Sequence, residues 1–248
     1  MTPAPGRPRR RTSRRPGADG PQAGAGTAAA NRRNDGPTIT ARDDVVRHHL
    51  AGLAPEALVL EVGCADVRRF ASDGPYGYLA TDLRPLASVD FAADAGRLPL
   101  ADDSVDALVT LEMLEHVPDP GAVVRELSRV LKPGGAIFLS VPSIAPRHDS
   151  HDYWRFTAQG LEHLCSPWFD EPEVRVFGGT FEALGYLGAY YSRLALHRLR
   201  IPVGQLPRAL PVLGAAIDRR SGWATSTEAL HTLAFDLLFV GRGRAGTP

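Results

Sequence analysis

The sequence predicts an α/β fold, a doubly wound sheet with helices on both faces, on three observations. Leu58–Val62 is a continuous apolar run interrupted only by Glu61 and followed by Gly63, the pattern of a strand buried on both faces that turns sharply at its carboxyl end. Tyr78–Asp82 repeats the pattern and ends in a carboxylate 21 residues after Glu61. Apolar strands and helical stretches then alternate as far as Lys132-Pro-Gly-Gly135, a turn that stops a helix and launches a strand.

The 248 residues and 44% apolar content suffice for one core of ordinary size with additions. Residues 1–37 hold six prolines and six glycines with few large apolar side chains, so the expectation there is a tail without fixed structure. Residues 1–40 carry eight arginines against Asp19 and Asp35, which leaves the body with 20 basic and 26 acidic residues. An acidic body argues against a nucleic-acid-binding surface, which needs a basic face. Cys64 and Cys165 form neither a disulfide framework nor a metal-ligand spacing, so no metal is expected and a reducing cytoplasm fits. No run reaches 18 apolar residues, and the arginine-rich N-terminus lacks the apolar core of a secretory signal.

In chain order, Thr40 and Asp43 resemble a capping box, and Val45, Val46, Leu50 and Leu53 line one helical face that Gly52 and Pro55 end. A strand at 57–62 and a short helix at about 66–72 follow. After the second strand come a short third strand over 88–92 leading to Asp94, a fourth over Val105–Leu111, a helix over about 120–131 and a fifth strand over Ala136–Val141. Thr157 caps a helix through Leu164, and strands at Val174–Phe177 and Ala234–Val240 complete the set.

The residues between the last two strands, 178–233, form a helical insertion. In it Leu184, Leu187, Tyr191, Leu194 and Arg198 recur at helical spacing, and Pro202, Pro207 and Pro211 separate this helix from a second near 212–218. Such a stripe packs on its own domain, roofs a pocket or lies on a membrane surface; packing is the favoured reading and peripheral membrane contact is not.

Four segments carry a resemblance: LVLEVGCAD, YLATDLRP, DAGRLPLADDSVDALVTLEMLEHVPDP and RELSRVLKPGGAIFLSVP. In this order over residues 58–142 they resemble the class I S-adenosylmethionine-dependent methyltransferases that act on small molecules, sugars and lipids. HDYWRFTAQGLEHL, at 151–164, is similar to a segment of members associated with saccharide and cell-surface biosynthesis.

The resemblance implies a seven-stranded Rossmann-like sheet with a reversed last strand, spanning 38–248. It also implies S-adenosylmethionine as cofactor and methyl transfer to a small-molecule, saccharide or lipid-linked hydroxyl. By resemblance Glu61, Gly63 and Ala65 line the methionine and ribose end, Asp82 holds the ribose hydroxyls, Asp94 and Ala95 lie by the adenine, and Leu111 and Glu112 edge the methionine moiety.

Of the family's three alternating glycines, Gly63 is kept, and Ala65 and Val67 stand in place of the other two. Ala65 is small enough for close approach, whereas Val67 is expected to restrict the backbone and add bulk, which keeps a catalytically inactive binding module as the alternative. A nicotinamide dehydrogenase would also place an acid on ribose, but its G-x-G-x-x-G turn is absent.

A hydroxyl acceptor benefits from a general base, and two histidines reach the strands' carboxyl edge, His151 after strand five and His116 after strand four. The segment 143–156, which also holds His148, Asp149 and Asp152, is expected to form the acceptor pocket with the helix at 181–200 as its roof. Tyr153, Trp154 and Tyr191 would offer flat faces to a sugar ring or another amphipathic acceptor.

Overall fold

The computed structural model describes residues 37–71, 73–199, 206–221 and 235–246. The tail expected at 1–37 lies, except for Pro37, outside the described residues, as does most of the chain joining the last helix to the last strand. The elements run α1 (Pro37–Leu50), β1 (Leu58–Val62), β2 (Gly77–Asp82), β3 (Phe91–Ala92), β4 (Val105–Leu111), a 3₁₀ turn (Leu114–His116), α2 (Pro120–Val130) and β5 (Leu131–Pro142). They continue through α3 (Ala158–Cys165), β6 (Phe169–Phe177), α4 (Thr180–Arg198), α5 (Leu206–Ser221) and β7 (Asp236–Gly243).

The strands form one seven-stranded sheet in the order β3-β2-β1-β4-β5-β7-β6, the doubly wound arrangement expected. All neighbours as far as β5 are parallel, and β7 runs antiparallel between β5 and β6. The order reverses between β1 and β4, so the chain leaves these two strands toward opposite sides and opens a crevice at their carboxyl ends.

Alternation along each strand feeds two buried layers. Leu60, Leu108 and Ile137 pack under α2 and α3 with Val124, Leu127 and Leu161, while Val59, Val109 and Phe138 pack on the other face with Val46, Leu50 and Phe70. Each such side chain, fully withdrawn from water, stabilises the fold by roughly 1.5–3 kcal/mol. Helix α2 starts at an Asp119 cap whose Oδ1 accepts from the Ala122 N–H at 3.0 Å, with Pro120 in the first turn.

Five sequence expectations are corrected. Helix α1 begins at Pro37, so Thr40 is inside it rather than its cap. No helix forms at 66–71, because the Arg69 N–H donates to the buried Glu61 Oε2 at 3.1 Å instead of to a carbonyl one turn back. Strand β3 shortens to Phe91–Ala92, since Leu86–Val89 closes a turn and the Asp90 carboxylate takes the Ala80 N–H at 2.8 Å. Lys132–Gly135 does not precede β5 but interrupts it, with Leu131 opposite Val105 and Ala136 opposite Ala107.

Helix α5, the last correction, starts at Leu206 with Pro207 in its first turn and keeps Pro211 inside. Its backbone there lies directly on α4: a Cβ added to Gly185 would sit 2.5 Å from the Leu210 carbonyl oxygen. The two helices are also pinned by Asp218 of α5, which accepts the Phe181 and Glu182 N–H groups at 3.2 and 2.9 Å and so caps the start of α4. Among the described residues no helix is long and apolar enough to cross a membrane.

Candidate active site

The turn after β1 is built around two left-handed residues. Gly63 has φ +78° and a Cβ there would meet Met113 Cγ at 2.4 Å, so only glycine fits. Ala65 has φ +48° and follows the backbone path a glycine would take, at the steric cost of its Cβ. Val67 is not among the positive-φ residues, so the backbone restriction expected of it does not arise.

Asp82, at the end of β2, faces this turn. Its Oδ2 accepts the Ala65 N–H at 3.1 Å, and its Oδ1 accepts from the Arg84 N–H and Nε at 3.0 and 3.1 Å. Glu61, expected to line the cofactor, is 4% exposed; it accepts from Arg69 N and from the Tyr78 hydroxyl and ties β1 to β2. Burial pushes its pKa up, and the Tyr78 and Arg69 hydrogen bonds draw it partly back. Asp94 Oδ1 accepts the Gly96 N–H at 2.8 Å, which fixes the tight turn that carries half-buried Ala95.

At the end of β4, half-buried Leu111 is followed by Glu112 in a left-handed conformation, φ +54°. Its Oε1 accepts from Ser140 Oγ at 3.0 Å and from Arg42 at 3.3 Å. Arg42, 1% exposed, also bonds Asp236 at 2.7 Å, Ser140 Oγ at 3.1 Å and Asp43 at 3.0 Å. Burial pushes the Asp236 carboxyl well above the usual carboxylate range, with the Glu112 charge adding and the Arg42 charge opposing. This buried network escaped sequence reading, because Arg42 has no pattern of its own and its partners lie as far as 194 residues away.

The second half of the site joins the 3₁₀ turn after β4 to the loop after β5. The Tyr153 N–H donates to the Glu115 carbonyl at 2.8 Å, and Trp154 Nε1 donates to the Val117 carbonyl at 2.9 Å. Arg155 draws the loop together by bonding the Ala145 and Pro146 carbonyls, each at 3.0 Å, and the Asp152 carboxylate. That Arg155 hydrogen bond lowers the Asp152 pKa to about 2.

The structure brings His116, His148 and His151 together. His116 Nδ1 is 2.5 Å from the His151 carbonyl oxygen, and the Nε2 atoms of His116 and His148 are 3.2 Å apart. The His151 ring is exposed, with Nδ1 3.1 Å from Ser150 Oγ, and sits beside Tyr153. Tyr153 and Trp154 are 50% and 42% exposed, open to a flat ligand.

Helix α4 meets the loop through Tyr190, whose hydroxyl donates to the Arg147 carbonyl at 3.4 Å. Tyr191, the residue expected there, is 56% exposed and contacts the Tyr190 ring. Glu115 also went unremarked in the sequence. It is completely buried beside His116, and burial, reinforced by the Glu112 charge, pushes its carboxyl up to about 9.

Residues 60–139 match a family model described as a methyltransferase domain. The chain is similar to the ubiquinone biosynthesis O-methyltransferase of Xanthomonas oryzae pv. oryzae, 56% identical over 97 residues that cover 39% of this chain and 38% of that protein. It thus spans less than half the length of the curated relatives it matches. In fold it is similar to the 1,6-didemethyltoxoflavin-N1-methyltransferase of Burkholderia thailandensis, solved with 1,6-didemethyltoxoflavin and S-adenosylhomocysteine. That likeness has a TM-score of 0.54 at 16% identity and covers 88% of this chain and 83% of that one. The [4+2]-cyclase SpnF is also similar, with a TM-score of 0.55 at 17% identity over 84% and 82% of the two chains.

Proposed function

We propose that the chain, whose residues 60–139 match a methyltransferase domain, is a class I S-adenosylmethionine-dependent methyltransferase that transfers a methyl group to a hydroxyl of a small-molecule acceptor, with saccharide and lipid-linked acceptors included in that class. The observation that carries this reading is the convergence, at one edge of the sheet, of a strand-end acid beside a left-handed turn with a histidine- and aromatic-lined loop. The similarity to an O-methyltransferase supports oxygen as the methylated atom.

The cofactor side fits its ligand. Ala65 copies the glycine backbone, and Asp82 is anchored through Oδ2 while its Oδ1, among the described residues, engages Arg84 alone, whose side chain is 59% exposed and able to yield to ribose hydroxyls. Asp82 would hold the ribose, Asp94 and Ala95 the adenine end, and Gly63, Ala65, Leu111 and Glu112 the methionine moiety. Glu61 would act through the turn it holds.

When bound, S-adenosylmethionine supplies a methyl group on a sulfonium for in-line displacement by the acceptor oxygen. The protein's part is to align the two partners and keep water out. Tyr153 and Trp154 would stack on the acceptor with Tyr190 and Tyr191 at the rim, and His151 would take the hydroxyl proton as charge develops on oxygen.

Titration calorimetry with S-adenosylmethionine, followed by transfer of labelled methyl to a panel of phenols, catechols and sugars, tests the proposal. Binding with methylation at oxygen is expected. Absence of cofactor binding would instead favour the inactive module, whose support is Ala65 and Val67 standing in place of glycines.

A further inference from the structure

Glu115, His116 and His148 each present one ligand atom within 4.8 Å of the others, and the hydrogen bonds around them fix what those atoms are. His116 Nδ1 lies 2.5 Å from the His151 carbonyl oxygen, which can only accept, so Nδ1 carries the proton and Nε2 a lone pair. His148 Nδ1 faces two acceptors, Asp152 Oδ2 at 3.3 Å and the Pro146 carbonyl at 3.4 Å, which puts its proton on Nδ1 as well. The two Nε2 atoms therefore meet lone pair to lone pair at 3.2 Å.

Glu115 completes the set. It is 0% exposed, neither of its carboxylate oxygens accepts a hydrogen bond among the described residues, and Oε1 lies 3.5 Å from His116 Nε2. Two imidazole nitrogens thus meet with no hydrogen between them beside a buried carboxyl that has no hydrogen-bond partner among the described residues, an arrangement that a cation relieves.

We propose that Glu115, His116 and His148 bind a divalent transition-metal ion through one carboxylate oxygen and the two Nε2 atoms. Two nitrogens held at about 2.0–2.1 Å by a tetrahedral ion are separated by about 3.3 Å, close to the spacing here. Both imidazoles have the outer partners that metal-ligating histidines use, a backbone carbonyl for one and a carboxylate for the other. A set of two imidazoles and one carboxylate suits zinc over magnesium or calcium, which favour oxygen alone.

Three protein ligands leave a fourth position for water or an acceptor oxygen, as in catalytic zinc sites. If the hydroxyl-methylation reading holds, on which this role rests, the ion polarises the acceptor oxygen and His151 receives the proton that leaves it.

The test uses the full chain, stripped with a chelator, titrated with zinc, cobalt and magnesium chloride in the absence of S-adenosylmethionine. One zinc per chain is expected, a tetrahedral visible spectrum with cobalt, and no saturable magnesium binding. His148 is a loop residue with a 40% exposed side chain, so His148→Ala should fold normally by circular dichroism. It should bind zinc at least about 100-fold more weakly, since loss of even an outer-shell partner costs 10–100-fold. Zinc binding by His148→Ala equal to that of the parent, or no stoichiometric binding by the parent, would overturn the site. Zinc binding without methyl transfer would keep the site and refute the proposed function. Methyl transfer indifferent to the chelator would refute the ion's catalytic role.

Discussion

Replacing Arg42 by methionine removes a guanidinium that is 1% exposed and bonds Asp43, Glu112, Ser140 and Asp236. The partners are not equally affected. Asp43 keeps Arg69 at 2.8 Å and Glu112 keeps Ser140 at 3.0 Å, whereas Asp236, 2% exposed, loses the guanidinium from Oδ2 while its Oδ1 has no partner among the described residues. One buried carboxyl is thus stranded, and breaking a buried ion pair from one side costs about 3–5 kcal/mol. At roughly 2–4 °C per kcal/mol for a domain of this size, the melting temperature should fall by roughly 6–20 °C. Thermal and urea unfolding of the full chain measure it. Adding Asp236→Asn to Arg42→Met should recover part of the loss, because the two effects share one contact. A single mutant within about 1 kcal/mol of the parent, or strictly additive mutants, would refute the reasoning.

Other outcomes follow from the same contacts. The folded-state pKa of Glu115, about 9 against an ordinary 4.5, means that its contribution is fully present below pH 4.5 and is lost as pH rises through 9. In metal-free protein Glu115→Gln should therefore be the more stable chain at pH 8, with the gap closing toward pH 5; urea midpoints that move in parallel would refute this. Asp82→Ala should weaken S-adenosylmethionine binding by roughly 10–100-fold, the loss of hydrogen bonds to a charged group, and unchanged calorimetric affinity would remove Asp82 from the site. Ala65→Gly relieves a left-handed alanine at some cost in chain entropy and should raise the melting temperature by roughly 1–3 °C without weakening cofactor binding; a lower melting temperature would show that the turn is unstrained. His151→Ala should lower turnover with cofactor affinity intact, and full activity in the variant would end its assignment as base.

The sheet was legible in the sequence because its strands are local apolar runs; Val105–Leu111, for example, was read with its true ends. Where side chains compete for backbone groups, local pattern misled. The helix expected at 66–72 was pre-empted by Glu61, and the third strand was shortened by the Asp90 carboxylate. The histidines at 116 and 151 were visible as residues that follow strand ends, but the position that pairs with His116, His148, stood out no more than its neighbours. Its meaning depends on which ring nitrogen faces Asp152, a fact of three-dimensional contact alone. Arg42 and Asp236 were illegible for the same reason, since each is an ordinary charged residue in its own stretch.

The pairing of β6 with β7 brings Phe177 opposite Asp236, so everything from 178 to 235 departs from and returns to a single rung of the sheet. Two neighbouring strands lie about 4.8 Å apart, a gap that a segment of almost any length can bridge, and the entropy of closing it grows only slowly with that length. The segment is therefore an exchangeable cassette. Chimeras that swap 178–235 for the corresponding stretch of another such domain should keep the sheet and the turn after β1, exchanging Tyr190 and Tyr191 while the loop at 143–156 stays behind.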